Sequence, residues 1–248
     1  MSNEIIEHIK QQYQNKKILV VGLGLQGGGV GVIKFFAELG AQVTVTDLKS
    51  SQQLQDSINL LHEYDITYRL GRHDIDDFIN TDVIFKGPSV RWDIPELILA
   101  RQKDIPIEME ASFFASHCPA KIIGITGTRG KSTTTQMIYE IIKNAGKTAY
   151  LGGNVRNIST ISLLHTVNSN DIVILELSSW QLSGFREKKL SPGIGVFTNF
   201  YPDHLNYYKS MDEYWNDKAV IFQFQKPEDV LIANANLQDK IGQTLCQV

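Results

Sequence analysis

Lys131 and Ser132 stand directly behind Thr126-Gly-Thr-Arg-Gly130, and the apolar run Ile122-Ile-Gly-Ile125 leads into them. A strand, a glycine-rich turn and a helix opening on Lys-Ser, in that order, make a phosphate cradle. Gly127 and Gly130 let the backbone pass close to an anion, while the amides of the helix's first turn point at it with the favourable end of the helix dipole. Lys131 adds a mobile cation for the β- and γ-phosphates of a nucleotide, and Ser132 a hydroxyl for Mg²⁺. Thr128, Arg129 and Thr133 complete the stretch that would line an ATP triphosphate. The general pattern G-x-x-x-x-G-K-[ST] needs glycine at position 125, where this chain has Ile125, so only the shorter form 126–132 survives. An ordinary glycine turn before a Thr/Ser-capped helix would explain the glycines but not Lys131.

Further polar residues emerge from apolar runs. Glu176 ends Asp171-Ile-Val-Ile-Leu-Glu176, which delivers a carboxylate to the sheet edge where the phosphate turn also opens. It could hold magnesium or be satisfied by a helix N-terminus. Ser178, Ser179 and Gln181 follow and read as polar substrate contacts or, equally, as helix caps. After another apolar strand, Thr198-Asn-Phe-Tyr-Pro-Asp-His204 contributes Asn199, Asp203 and His204. His8, His62, His73, His117 and His165 lack such company and read as structural or exposed. Lys218 falls in a helix expected over 211–222, where position alone would not single it out.

The elements that must position these groups alternate strand and helix. Lys17-Ile-Leu-Val-Val-Gly22 is a buried-strand run, followed by the turn Gly22-Leu-Gly-Leu-Gln-Gly27, a helix over 30–39 closed by Gly40, and a second strand over 42–47 ending in Asp47. This is the spacing of a dinucleotide-binding βαβ unit. The same turn serves any pyrophosphate, and Asp47 could cap the following turn, so the pattern alone does not establish a nicotinamide cofactor. Strands are expected at 83–85 and 105–107, with a turn at Lys86-Gly-Pro-Ser89 at one strand's ligand-facing end. A boundary is expected within Ala115-Ser-His-Cys-Pro-Ala120, where a helix stops and a proline precedes the next strand. Beyond it, strands are expected at 122–125, 148–151, 172–177, 194–197 and 230–233. Such apolar strands alternating with helices predict parallel sheets covered on both faces. The fold class is therefore α/β: a Rossmann-like domain over 1–116, then a P-loop-type ATPase domain over 117–248.

The 248 residues, 42% of them hydrophobic, can bury a substantial core. A net charge of -3 gives no basic field to draw nucleic acid. The first 17 residues are polar and no run is long enough to span a membrane, so a cytoplasmic location is expected, with no membrane partner. Cys118 and Cys246 are too few for a disulfide framework and read as free thiols.

Taken together, Thr126 to Thr133, Gly152-Gly-Asn154, Leu175-Glu-Leu-Ser-Ser-Trp-Gln-Leu182, Asn199 with Asp203-His204, and Lys218 after Tyr214 resemble the Mur ligases. These are ATP-dependent amide-bond-forming enzymes of peptidoglycan synthesis. The Glu-Leu-Ser-Ser-aromatic-Gln-Leu string is most similar to the D-glutamate-adding branch. The resemblance implies that the first domain binds the uridine diphosphate of a sugar nucleotide rather than NAD, through Gly22, Leu25, Gln26, Gly27, Asp47 and the turn at Pro88. It implies that Lys131 holds the β- and γ-phosphates and that Ser132 and Glu176 take one Mg²⁺. His204, with a carbamate on Lys218, would help hold a second. Asn154, Ser178 and Gln181 would face the muramoyl-alanine end. The implied catalytic set is Lys131, Glu176, His204 and Lys218, and the implied partners are ATP, UDP-N-acetylmuramoyl-L-alanine and D-glutamate, used by a monomer.

Three features depart from the family pattern. Arg129 stands where Asn is common, Lys86-Gly-Pro-Ser89 replaces the usual Ser-Pro-Gly turn, and Gly28 and Gly29 are extra. The family's third, C-terminal ligase domain has no counterpart here, so the second domain is expected to be incomplete and the chain inactive by itself. Competing expectations are another Mur or folylpolyglutamate-type ligase, a nucleotide-binding module without catalysis, and an NAD-dependent oxidoreductase.

Overall fold

A computed structural model describes residues 2–24, 28–242, 244, 246 and 247. The chain divides into two compact units: one holds the residues up to Phe114 together with Arg156–Thr166, the other Ala115–Val155 and everything from Val167 on. The sequence-based boundary near 116 differs from this division at 156–166, which groups with the first unit.

The first unit runs α1 (Ser2–Tyr13), β1 (Lys17–Val21), α2 (Gly28–Glu38), β2 (Gln42–Asp47), α3 (Gln55–Asn59), β3 (Ile66–Leu70), α4 (Ile75–Ile79), β4 (Val83–Lys86), α5 (Pro95–Gln102), β5 (Ile107–Glu108) and the start of α6 (Glu110–His117). Its five strands form a parallel sheet in the order β3-β2-β1-β4-β5. β1 is central and apolar on both faces, as a strand covered on each side by helices must be. Leu19, Val21, Phe78, Ile84, Leu97 and Ala100 make a core cluster on one face. Full burial of each larger apolar side chain contributes about 1.5–3 kcal/mol. Strand order reverses at β1, between β2 and β4, and such switch points open a crevice at the C-terminal strand ends. The turns after β1 and β4 flank it.

Two elements differ from the sequence reading. The strand expected at 105–107 is Ile107–Glu108; Pro106 has no N–H for a ladder, though its carbonyl accepts from the Ile84 amide at 2.9 Å. β3 was not expected at all. It is an edge strand whose burial merely alternates, with Thr67 and Arg69 exposed, so its apolar signal is weak.

The second unit runs β6 (Lys121–Thr126), α7 (Lys131–Asn144), β7 (Ala149–Gly153), β8 (Ile172–Glu176), α8 (Ser179–Glu187), β9 (Ile194–Phe197), α9 (Met211–Gln223), β10 (Val230–Ala233) and α10 (Gln238–Ile241). Its parallel sheet has the order β10-β9-β6-β8-β7. β6 is again central. Its neighbours β8 and β9 therefore deliver Glu176 and residues 198–204 on either side of the turn that follows β6. Among the described residues, no helix is long and apolar enough to cross a membrane.

Candidate functional site

The turn after β6 is held open by its surroundings. Gly127 and Gly130 have φ of 148° and 81°, conformations that side-chain-bearing residues rarely adopt. A Cβ at Gly127 would also run into the Thr198 hydroxyl and lie 3.2 Å from the Asn199 backbone. Asn199 braces the turn at Arg129, its Oδ1 accepting from the Arg129 amide at 2.9 Å and its Nδ2 donating to the Arg129 carbonyl at 3.0 Å. Thr198 donates to the same carbonyl at 2.7 Å. Thr128 Oγ1 accepts from the Tyr201 amide at 2.9 Å. The helix cap is Gly130, which offers no side-chain acceptor to the first turn of α7, so those amides face outward with the dipole's positive end.

Two lysines meet at this turn. Lys131 donates to the carbonyls of Gly127 and Thr128 at 3.0 and 3.1 Å. Lys218, almost wholly enclosed, donates to the Gly127 carbonyl at 2.8 Å and to Thr126 Oγ1 at 3.4 Å, and stands 5.0 Å from the Tyr214 ring centroid. Burial and then the nearby Lys131 charge push the Lys218 amine down to about 7, against Asp203 and Asp217. Burial likewise lowers Lys131, against Glu176 and Asp203. A neutral amine at Lys218 is thereby accessible near neutral pH.

Glu176 is buried at the end of β8. Its Oε1 accepts from Asn154 Nδ2 at 3.1 Å, and its carbonyl accepts from the Asn154 amide at 2.7 Å. Asn154 thus braces the carboxylate. His204, at φ 55°, packs its ring 5.0 Å from Trp180 and 5.9 Å from Tyr214. His204 and Lys218 therefore share Tyr214 as a neighbour. Ser132 and Thr133 are exposed on the first turn of α7. Thr198 and Tyr214, which brace the turn and separate these groups, were not singled out as site residues from sequence; Thr198 could have been, since it leaves β9 directly beside Asn199.

Ser178 and Gln181 display the helix-cap alternative that the sequence set beside a substrate contact. They form a capping box at the start of α8, with Ser178 Oγ accepting from the Gln181 amide at 3.2 Å and Gln181 Oε1 from the Ser178 amide at 3.1 Å. Among the described residues, no group of three or more His, Cys, Asp or Glu side chains gathers as a metal cage.

In the first unit, Gly22 (φ 89°) donates its amide to the Thr46 carbonyl at 2.8 Å. Asp47 is buried, its Oδ2 accepting from Leu23 at 2.9 Å and Gly24 at 3.5 Å, and its Oδ1 from Lys49 at 2.9 Å. It clasps two turns together, the capping role that sequence left open. Leu25, Gln26 and Gly27 lie outside the described residues. A Cβ at Gly29 would strike the Leu23 carbonyl and lie 2.9 Å from that of Gly22, which accounts for one of the extra glycines. Pro88 is exposed on the turn after β4. Below it, Lys86 donates to the Val90 carbonyl at 2.9 Å and lies 4.3 Å from the Trp92 ring centroid.

Residues 16–108 match the model of the Mur ligase MurD-like, N-terminal domain, and residues 125–247 that of the Mur ligase middle domain. The chain is similar to the UDP-N-acetylmuramoylalanine–D-glutamate ligase of Clostridium tetani, 37% identical over 94% of this chain and 49% of that one. It is also similar to the enzyme of the same name from Roseiflexus sp., 39% identical over 91% and 48%. The chain spans about half the length of the curated relatives it matches. In fold it is similar to the UDP-N-acetylmuramate:L-alanyl-gamma-D-glutamyl-meso-diaminopimelate ligase from Neisseria meningitides, with TM-score 0.58 and 17% identity over 94% of this chain and 76% of that one.

Proposed function

The chain belongs to the Mur ligase family, carrying its MurD-like N-terminal and middle domains, and from that premise we propose that it serves ATP-dependent ligation of D-glutamate to UDP-N-acetylmuramoyl-L-alanine. In this reading the first unit holds the uridine diphosphate at the turns after β1 and β4, and the second holds ATP at the turn after β6.

A carboxylate is a poor electrophile, so the alanine carboxylate must be activated before an amine can attack it. Its oxygen attacks the γ-phosphorus of ATP, the bond to the ADP oxygen breaks, and an acyl phosphate forms. The D-glutamate amine then attacks the acyl carbon through a tetrahedral intermediate, loses a proton, and expels phosphate. Positioned positive charge supplies most of the catalysis of phosphoryl transfer. Lys131 and the uncapped amides of α7 would cradle the phosphates, while Asn199 and Thr198 keep the turn in its anion-binding shape.

Magnesium fits the residues present at one place best. Glu176 is a buried carboxylate next to the turn, braced by Asn154 and felt by Lys131, and the Ser132 hydroxyl is exposed on the adjoining helix turn. These two would hold the ion, which would neutralise charge on the nucleotide phosphates. His204 and Lys218 would contribute to a second ion. Lys218 would then leave the Gly127 carbonyl and its free amine nitrogen would bond to the carbon of carbon dioxide and release one proton to solvent, giving a carbamate, an anionic oxygen ligand suited to a hard cation.

The observation that carries this reading is the convergence of Lys131, Lys218 and Glu176 on one braced glycine turn at the middle of a parallel sheet. Calorimetric titration with a Mg²⁺–ATP analogue, UDP-N-acetylmuramoyl-L-alanine and NAD⁺ tests it. Binding of the first two without NAD⁺ is expected; binding of NAD⁺ alone would overturn the assignment of the first unit.

A further inference from the structure

His204 and Lys218 stand on different elements of the second unit, the loop after β9 and the helix α9, so the loop must be fixed against the helix if both are to meet one cation. His204 has φ 55°, a left-handed conformation that a side-chain-bearing residue keeps only where its surroundings hold it. Its carbonyl accepts from the amides of Tyr207 and Tyr208 at 2.9 and 3.0 Å, and its own amide donates to Asp203 Oδ1 at 2.8 Å. The Tyr208 end of this turn is tied down further. The buried phenol of Tyr208 donates to Asp217 Oδ2 at 2.8 Å and is also bonded by the Ser179 hydroxyl of α8. Asp217 Oδ1 forms an ion pair with Arg186 Nη2, again from α8, at 2.7 Å.

Asp217 immediately precedes Lys218 on α9. Successive residues of an α-helix project about 100° apart, so clamping Asp217 sets the rotation of α9 about its axis and with it the direction of Lys218. Lys218 is thereby aimed at the turn after β6, where it reaches the Gly127 carbonyl at 2.8 Å. A carboxylate buried this far is costly unless paired, and Asp217 has a partner on each oxygen. The rings repeat the connection: Tyr208 packs 5.1 Å from Tyr214, whose ring lies 5.9 Å from that of His204 and 5.0 Å from the Lys218 ammonium. One strut thus runs from the backbone of His204 through the Tyr208 phenol to the residue beside Lys218, with Arg186 anchoring it on α8.

We propose that Tyr208, Asp217 and Arg186 are positioning residues that hold His204 and Lys218 at the spacing one divalent cation needs, so that the second ion depends on them and the first does not. This rests on the reading that His204 and Lys218 hold that second ion. The first ion is offered Ser132 and Glu176, which stand on α7 and at the end of β8, away from the strut's own elements. Groups that orient a metal ligand without touching the metal set its affinity through the ligand's direction. Deleting the Tyr208 hydroxyl keeps the ring in its aromatic packing but frees the 204–208 turn from Asp217, and His204 then loses its fixed place relative to Lys218.

The test is Mn²⁺ titration of this chain, followed by electron paramagnetic resonance, with a saturating non-hydrolysable ATP analogue in bicarbonate buffer. The wild type is expected to bind two ions. Tyr208→Phe should keep the affinity of the first and weaken the second about tenfold. Ser191→Ala removes another hydroxyl bonded to α9, at the Val220 carbonyl, and controls for stability alone; both ions should bind it as they bind the wild type. Unchanged second-ion affinity in Tyr208→Phe overturns the strut and leaves the second-ion reading standing, as does an equal loss at both ions or an equal loss in Ser191→Ala. A wild type that binds one ion only overturns both. If Tyr208→Phe does not fold, Arg186→Gln decides, since the Arg186 side chain is 38% exposed: weakening of the second ion alone supports the strut, and unchanged binding overturns it.

Discussion

Both units place a glycine turn and a helix N-terminus after the central strand of a parallel sheet, but the first sets acids around its turn and the second sets lysines. Asp47 clasps the amides of Leu23 and Gly24, and Glu110 stands against Gly28. At the other turn Lys131 and Lys218 both donate to the Gly127 carbonyl. The backbone amides supply a general attraction for anions in each case. The charge around them differs in sign, with acids beside the first turn and lysines beside the second.

The turns also differ in bracing, and the largest expected effect breaks that difference. Gly127→Ala should cost the second unit about 3 kcal/mol in urea unfolding, because strain at positive φ adds to a clash with Thr198. Gly24→Ala also has positive φ, but among the described residues nothing lies within 4 Å of its Cβ, and about 1 kcal/mol is expected. Equal costs would mean that the turn after β6 is not the braced one. Next in size, Asp47→Ala leaves the Leu23 and Lys49 amides without their acceptor and should destabilise the first unit by about 2 kcal/mol. Sugar-nucleotide affinity should fall with it while that for an ATP analogue holds.

A pH series sharpens the contrast. Lys218 titrates at about 7 in the folded state, below the ordinary lysine value, so between these points the unfolded chain binds more protons. The second unit therefore gains stability as pH rises from about 7 towards 10. Glu110 titrates at about 7, above the ordinary carboxyl value, so the folded state binds more protons in that window. The first unit accordingly loses stability as pH rises from about 4.5 to 7. Each slope is about 1.4 kcal/mol per pH unit at most. Slopes of the same sign, followed by urea unfolding at pH 5, 7 and 9, would contradict the two assignments. The smallest effect is Ser178→Ala, expected to cost about 1 kcal/mol through the lost cap. Weaker sugar-nucleotide binding at unchanged stability would instead mark Ser178 as a substrate contact.

What sequence made legible follows from range. Both strand–turn–helix units were readable because strand, glycines and helix are contiguous, and Lys131 and Glu176 stand out as charges at the ends of apolar runs. The S-x-x-Q capping box at Ser178–Gln181 was equally local and stood in the sequence as a helix cap beside a substrate contact. The strand β3 escaped because an edge position tolerates Thr67 and Arg69. The ties of Glu110 to Ser159 and Ile161 span about fifty residues with no local pattern to announce them, as does the grouping of 156–166 with the first unit. Lys218 is similar: only the fold brings it under Gly127.

The most direct test of the division of labour is calorimetric titration of Lys131→Ala against a Mg²⁺–ATP analogue and UDP-N-acetylmuramoyl-L-alanine. Loss of a charged hydrogen-bond donor should weaken the ATP analogue by about 2 kcal/mol, roughly 30-fold, and leave the sugar nucleotide as tight as in the wild type. Undiminished binding of the ATP analogue, or an equal loss for the sugar nucleotide, would contradict the account.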